Sequence, residues 1–160
     1  TFTKNYRLPA FNLSNIKSIK IAENILQRNQ KCILFVEYVQ EIEFFTRYLL
    51  ESNSSLNVKS ISGSTKLYER ELFANDTSID ILIIQIAAGG VGLNLQHFNE
   101  AHFSSVQWNP AITDQAIGRI KRIGQTKEMN VFVYVFKESF ELYIQEVMRR
   151  KQKLISTLIM

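Results

Sequence analysis

Asp80-Ile81-Leu82-Ile83-Ile84-Gln85-Ile86 runs straight into Ala87-Ala88-Gly89-Gly90-Val91-Gly92-Leu93-Asn94-Leu95. The first seven residues are β-branched and almost wholly apolar, with no polar alternation, which is the pattern of a strand buried on both faces in a parallel sheet. The glycines end that strand in a turn whose backbone N–H groups can approach a phosphate or a sugar closely. No lysine of a phosphate loop follows, and Leu95 stands where a dinucleotide fingerprint needs its third glycine. Taken alone, the cluster reads most simply as a tight turn after a buried strand.

Similar strands recur on either side. Upstream, Cys32 to Val36 is a short apolar run, followed by Val39, Ile42, Phe45 and Leu49 at helical spacing. Polar Glu51 to Asn57 turns the chain into Val58 to Ile61, which ends at Ser62-Gly63-Ser64-Thr65 ahead of a short helix reaching about Phe73. Further upstream, Ser14 caps a stripe of Ile16, Ile19, Ala22, Ile25 and Leu26 that the polar run Gln27 to Lys31 closes. Downstream, Ala101 to Ser104 is a fourth strand, and Asn109-Pro110 opens a helix with a capping side chain and proline at its first position; this helix is expected to reach Gly124. Val131 to Phe136 is a fifth strand, and Phe140, Ile144, Val147, Leu154 and Leu158 mark a closing helix over 138–159. Strands alternating with helices through short loops predict an α/β fold, a parallel sheet with helices on both faces.

A chain of 160 residues that is 46% apolar is long enough to bury its own core. One cysteine excludes an internal disulfide, and two histidines beside it give no ligand set at zinc spacing, so no metal site is expected on this chain. Three glycosylation sequons, at Asn12, Asn53 and Asn75, have no signal peptide upstream and read as chance matches. The run enclosed by Lys31 and Glu37 is far shorter than the roughly 18 apolar residues a membrane span needs, so no membrane partner is expected. A start at Thr1 rather than Met leads to the expectation that residues 1–13 are a leader segment from a larger chain and 14–160 a lobe of it. The net charge of +4 is uneven. Residues 1–117 hold 10 basic and 11 acidic groups (net −1), whereas 118–160 hold 9 and 4 (net +5).

Part of that excess lies in Asp114-Gln115-Ala116-Ile117-Gly118-Arg119-Ile120-Lys121-Arg122. Helical geometry puts Gln115, Arg119 and Arg122 on one face and Ile112, Ala116, Ile120 and Ile123 on another. The apolar face can seat the helix on a sheet while the other offers an amide and two guanidinium groups, which suit a phosphate. A solvated basic face accounts for the same spacing.

These motifs, in this order and joined by Trp108-Asn109-Pro110, make the chain resemble the C-terminal lobe of a Swi/Snf-type ATPase of helicase superfamily two. The matching stretches are Ile33-Leu34-Phe35-Val36, Ile61-Ser62-Gly63-Ser64-Thr65 with Glu69-Arg70, Ala88 to Leu95, Trp108-Asn109-Pro110, and Asp114 to Gln125. The resemblance implies a RecA-like lobe that is half of an active site. ATP and Mg2+ would be held mainly by an N-terminal RecA-like lobe of the same protein. Arg119 and Arg122 match arginines that reach across the cleft to the nucleotide phosphates, and Gln115 orders that contact. Gly90, Gly92 and Asn94 fall on the nucleotide side. Ser62, Gly63, Ser64 and Thr65 match a contact to the backbone of double-stranded DNA, and Gly89 and Trp108 lie near the same track; an anchor for the motif helix is an equal reading of Trp108. The implied activity is ATP-driven translocation on duplex DNA, with a nucleosome or another DNA-bound protein as a further partner. The isolated lobe is expected to be inactive. Residence follows the host: the nucleus in a eukaryote, otherwise the cytoplasm or a virus.

Several positions depart from the family pattern. Gln85 and Ala87 stand where Ser and Lys are usual, Ser105 replaces a frequent Asp, and Lys121 replaces the His between the arginines. The stretch from Arg70 to Phe73 is about four residues short, roughly one helical turn. A degenerate lobe kept as a non-catalytic DNA- or protein-binding module is therefore the alternative. A Rossmann-type cofactor enzyme rests on the glycine cluster alone and leaves the arginine helix without a task.

Overall fold

β1, Cys32–Val36, is buried at all five positions and takes the centre of the sheet. In the computed structural model, residues 16–88, 93–107, 109–120 and 130–135 are described, together with 143, 144, 146, 147, 149 and 150. The remaining strands are β2 (Val58–Ile61), β3 (Ile81–Gln85), β4 (Glu100–Phe103) and β5 (Asn130–Val133), in the order β2-β3-β1-β4-β5. Every pairing is parallel. Cys32 stands opposite both Ile81 and Glu100, and Phe35 opposite both Ile84 and Phe103. The Phe35 and Phe103 rings stack with centroids 4.7 Å apart, locking the two central strands side by side.

The helices are α1 (helical over the described residues 16–28), α2 (Val39–Ser52), α3 (Leu67–Asn75) and α4 (Pro110–Ile120). Because strand side chains alternate, the two faces of the sheet carry separate cores. Cys32, Leu34 and Val36 meet Ile21 and Ile25 of α1 and Phe45 and Leu49 of α2. On the other face Ile33 and Phe35 meet Ala74 of α3, Ala116 of α4, and Leu93, Leu95 and Phe98 of the segment before β4. Helices on both faces of a parallel sheet are what the uninterrupted apolar strands predict. Burying each Ile, Leu or Phe contributes roughly 1.5–3 kcal/mol, so the fully enclosed Phe45, Phe98 and Phe103 anchor their segments firmly.

Helix ends follow local chemistry. Asn29 closes α1 with a φ of 48°, the left-handed conformation that Asn tolerates, and its N–H reaches the Ile25 carbonyl at 3.2 Å. Glu41 receives the Glu37 and Tyr38 N–H groups, both at 2.9 Å, and so opens α2. Glu69 takes the Lys66 N–H at 3.1 Å at the start of α3. Asn109 Oδ1 accepts the Ala111 N–H at 3.0 Å, the cap expected ahead of Pro110.

The differences from expectation are local. Ile16 and Val39 lie at the margins of their helical stripes and stay about half exposed. β3 is one residue shorter than expected at each end, and α3 continues to Asn75. β4 begins one residue early, at Glu100, because that carboxylate finds a partner inside. β5 starts at Asn130 and ends at Val133, and the Tyr134 N–H still donates to the Phe103 carbonyl of β4 at 3.1 Å. The leader 1–13, residues 121–124 of the motif helix and most of the closing helix lie outside the described residues. Of that closing helix, 143, 144, 146, 147, 149 and 150 are helical, with Ile144 buried. Among the described residues no helix is long and apolar enough to cross a membrane.

Beneath α1, β4 carries a buried polar network. Arg28 Nε donates to Glu100 Oε1 at 2.8 Å, His102 Nε2 lies 3.3 Å from Glu100 Oε2, and His102 Nδ1 lies 2.8 Å from the Tyr134 hydroxyl. Asn24 Nδ2 donates to that hydroxyl at 2.5 Å. The Arg28 guanidinium also lies over the Phe132 ring, 4.4 Å from its centroid.

Candidate functional site

All five strands point the same way, so their carboxyl ends share one edge of the sheet. From β1 the chain leaves through α2 on one face toward β2, and from β4 through α4 on the opposite face toward β5. That reversal opens a crevice at the strand ends, where ligands bind in open α/β sheets. Two groups of site residues chosen from the sequence lie on this edge, the loop 62–65 after β2 and the helix α4 after β4, and between them the described turn 86–88 after β3 leads toward the glycine cluster.

The loop after β2 holds itself in a tight turn. The Ser62 N–H donates to Thr65 Oγ1 at 2.9 Å, the Thr65 N–H returns to the Ser62 carbonyl at 3.1 Å, and the Ser62 and Ser64 hydroxyls are 2.9 Å apart. A Cβ at Gly63 would meet nothing within 4 Å, so the space above this residue is open and the protein's own packing does not require glycine there.

Arg70 of α3 binds this loop to the next. Its Nε donates to the Thr65 carbonyl at 2.8 Å, Nη1 to the Ala88 carbonyl at 2.6 Å, and Nη2 to the Ser62 and Gly63 carbonyls at 3.1 and 3.4 Å. Gln85 makes a second tie. Its Oε1 accepts the Gly63 N–H at 3.2 Å and its Nε2 donates to the Glu37 carbonyl at 3.4 Å, joining the ends of β1, β2 and β3. Ser105, the other departure on this edge, donates to Glu37 Oε2 at 3.3 Å. Neither Arg70 nor Gln85 was singled out for such a role from the sequence. The pair Glu69-Arg70 was visible only as part of a matching stretch.

Leu93 and Leu95 are buried in the core, and Asn94 between them is exposed, held at the surface by its two neighbours. On α4, Ala116 is buried and Ile117 packs against the same core, whereas Asp114, Gln115 and Gly118 are exposed. Of the apolar face expected for this helix, Ala116 is buried and Ile112 half-buried, while Ile117, outside that expected face, also packs on the core. Arg119 follows Gln115 by one helical turn and shares its face; its side chain lies outside the described residues, as do Gly89, Gly90, Gly92, Trp108 and Arg122. Arg70 unites Ser62, Gly63 and Thr65 with Ala88, while Gln115 stands apart on α4. A separate cleft of about 230 Å3, lined by Lys31, Asn53, Leu56 and Asp80 among others, opens at the opposite, amino end of the strands and shares none of these residues.

The helicase conserved C-terminal domain family matches residues 17–124. The DNA repair protein RAD5A of Arabidopsis thaliana is 34% identical over 138 residues, which is 84% of this chain and 13% of that protein. The ATP-dependent helicase FUN30 of Saccharomyces cerevisiae is 32% identical over 138 residues, 82% of this chain and 12% of its own length. The chain thus spans about an eighth of these two relatives. Among solved structures, the C-terminal part of the Fun30 ATPase domain superposes with a TM-score of 0.65 at 29% identity, covering 76% of this chain and 40% of that one. The parallel order of the strands, the capped motif helix and these matches agree: the chain belongs to the helicase C-terminal domain family, as the second RecA-like lobe of the Swi/Snf type.

Proposed function

We propose that this lobe is the second half of an ATP-driven motor on duplex DNA, closing on a first RecA-like lobe of the same protein that holds most of ATP and Mg2+. The observation that carries the reading is the split of α4. Its apolar side is seated on the sheet through Ala116 and Ile117, leaving the row of Gln115 and Arg119 for a ligand delivered from outside the lobe. In this reading Arg119 and Arg122 stabilise charge on the transferring phosphoryl group, Gln115 orders them, and Gly90, Gly92 and Asn94 border the nucleotide. Ser62, Gly63, Ser64 and Thr65, with Gly89 and Trp108, follow the DNA backbone, a contact that ignores sequence and weakens with salt. The relatives' names speak of DNA repair and ATP-dependent helicases, which supports a substrate on DNA; a nucleosome or another DNA-bound protein is the further partner of this reading. In a eukaryotic host that activity belongs in the nucleus.

The test is Arg119→Ala and Arg122→Ala in the protein that joins both lobes. DNA-stimulated ATP hydrolysis should fall by about 10³–10⁵, as for other lost arginine fingers, while nucleotide binding persists. Normal turnover in both variants would sink the assignment.

A second reading, a lobe retained as a non-catalytic binding module, draws on Gln85. Its side chain occupies the Gly63 N–H that a phosphate would otherwise take. A first lobe lacking a phosphate loop and an acidic metal motif would favour this alternative.

A further inference from the structure

The guanidinium of Arg70 gathers four backbone carbonyls from two loops that are separate in the sequence. Ser62, Gly63 and Thr65 lie after β2, and Ala88 is the last described residue before the glycine cluster that follows β3. Arginine is suited to this because it offers five N–H donors in a rigid planar fork. Among the described residues no carboxylate pairs with Arg70, so its charge is met only by carbonyl dipoles and stays net positive beneath the loop.

The carbonyls also fix the other side of each peptide. In a trans peptide the C=O and the following N–H point in opposite directions. Holding the Ser62 and Gly63 carbonyls on Arg70 therefore turns the Gly63 and Ser64 N–H groups away from it, the first of them onto Gln85 Oε1. The amide oxygen of the half-buried Gln85 already accepts the Gly63 N–H at 3.2 Å, which shows that an acceptor fits there. Backbone N–H groups backed by the half-buried positive charge of Arg70 face an anion.

We propose that Arg70 is the positioning residue that couples the two loops. A backbone phosphate seated on residues 62–64 bears on the carbonyls that Arg70 holds, and through Ala88 on the start of the glycine cluster. The two loops then shift as one body. This rests on the reading of the lobe as a DNA motor half and adds to it the element by which DNA contact reaches the nucleotide side.

The test uses the two-lobed protein with Arg70→Lys and Arg70→Gln, and reads the ratio of ATP turnover at saturating duplex DNA to turnover without DNA. Lysine keeps the charge but is a point donor that cannot span both loops. Both variants should lower the ratio by about 10-fold or more, since misplacement near 1 Å can cost about 10²-fold. A wild-type ratio in Arg70→Lys would show that charge alone matters and overturn the positioning role. Equal loss of both rates, leaving the ratio unchanged, would mark Arg70 as structural and also overturn it. A wild-type protein with no DNA stimulation overturns the motor reading and this proposal with it, whereas intact stimulation with an unmoved ratio overturns this proposal alone. Should the variants not fold, amide hydrogen exchange on the wild type decides. Peptides over 62–65 and 86–88 should gain protection together on adding duplex DNA, and protection confined to 62–65 refutes the coupling.

Discussion

The Tyr134 hydroxyl lies 2.8 Å from Nδ1 of His102, and this contact sets the tautomer of a histidine with no exposed surface. The Glu100 carboxylate can only accept, so the single N–H of the neutral ring sits on Nε2, and Nδ1 accepts the proton of a Tyr134 hydroxyl that itself accepts from Asn24. Every polar atom of the neutral ring is thereby satisfied.

Stability should therefore depend on pH. Burial pushes the His102 pKa down to about 4, even though the Glu100 carboxylate pulls the other way. A depressed histidine pKa means that the unfolded chain takes up the proton first as pH falls below about 6.5. The contribution is fully present above that value and is lost as pH drops toward 4, with a slope of up to about 1.4 kcal/mol per pH unit. Glu100 extends the loss. Burial opposes its charge, but the hydrogen bonds from Arg28 and His102 outweigh burial and hold its pKa down, so its contribution disappears only as pH falls through that lowered value. Denaturant titrations at pH 7, 6 and 5 check the slope, and His102→Phe should flatten it between 6 and 5.

Glu100→Ala strips Arg28 and His102 of their shared acceptor at once. Arg28 is one-third exposed and can rehydrate, whereas His102 Nε2 cannot, so the expected loss is about 2–3 kcal/mol. A change below about 0.5 kcal/mol in equilibrium unfolding would mean that the network holds nothing together.

Gly63→Ala should leave thermal stability within about 0.5 kcal/mol, because the added methyl meets no atom of the protein. Binding to duplex DNA should nevertheless weaken, since the methyl fills the space a phosphate would use. Fluorescence anisotropy at several salt concentrations measures this, and unchanged affinity would remove this loop from the DNA track.

Gly118 sits inside α4, exposed, with no atom within 4 Å of a built Cβ. Gly118→Ala should therefore raise stability by about 0.5–1 kcal/mol through helix propensity. If the first lobe closes on this face, ATP turnover of the two-lobed protein should fall despite the gain. A stabilised variant with full turnover would show that nothing approaches α4 closely there.

Arg149 and Arg150 both reach Glu146, at 3.0 and 3.2 Å, and their side chains remain well exposed. Such exposed pairs are screened by solvent and contribute little. Reversing both charges should leave DNA affinity and its salt slope unchanged; a shallower slope would assign them to the DNA contact.

The strands most legible from sequence were those whose side chains all meet other side chains. β1 and β3 stand out as apolar runs because a parallel strand covered on both faces has almost no polar position to interrupt it, whereas β2, at the edge of the sheet, carries Lys59 and Ser60. β4 was harder for the same reason inverted: Glu100 and His102 are interior residues, and the Arg28 that meets Glu100 lies 72 positions away in the sequence. No local pattern announces such a pair. The face of α4 was readable because helical spacing alone separates Ala116 from Gln115. Arg70 was not, since its acceptors are backbone carbonyls and any residue supplies one.

The position of β1 has a consequence for how the chain acquires its structure. Its neighbours β3 and β4 begin 49 and 68 residues later, and nothing synthesised sooner can cover its edges. During synthesis Cys32 to Val36 must wait, apolar and unpaired, until more than half the chain has emerged. Folding of such long-range parallel pairings is slow and leaves an aggregation-prone segment exposed, so the amino-terminal half of this lobe should depend on chaperones until β4 arrives.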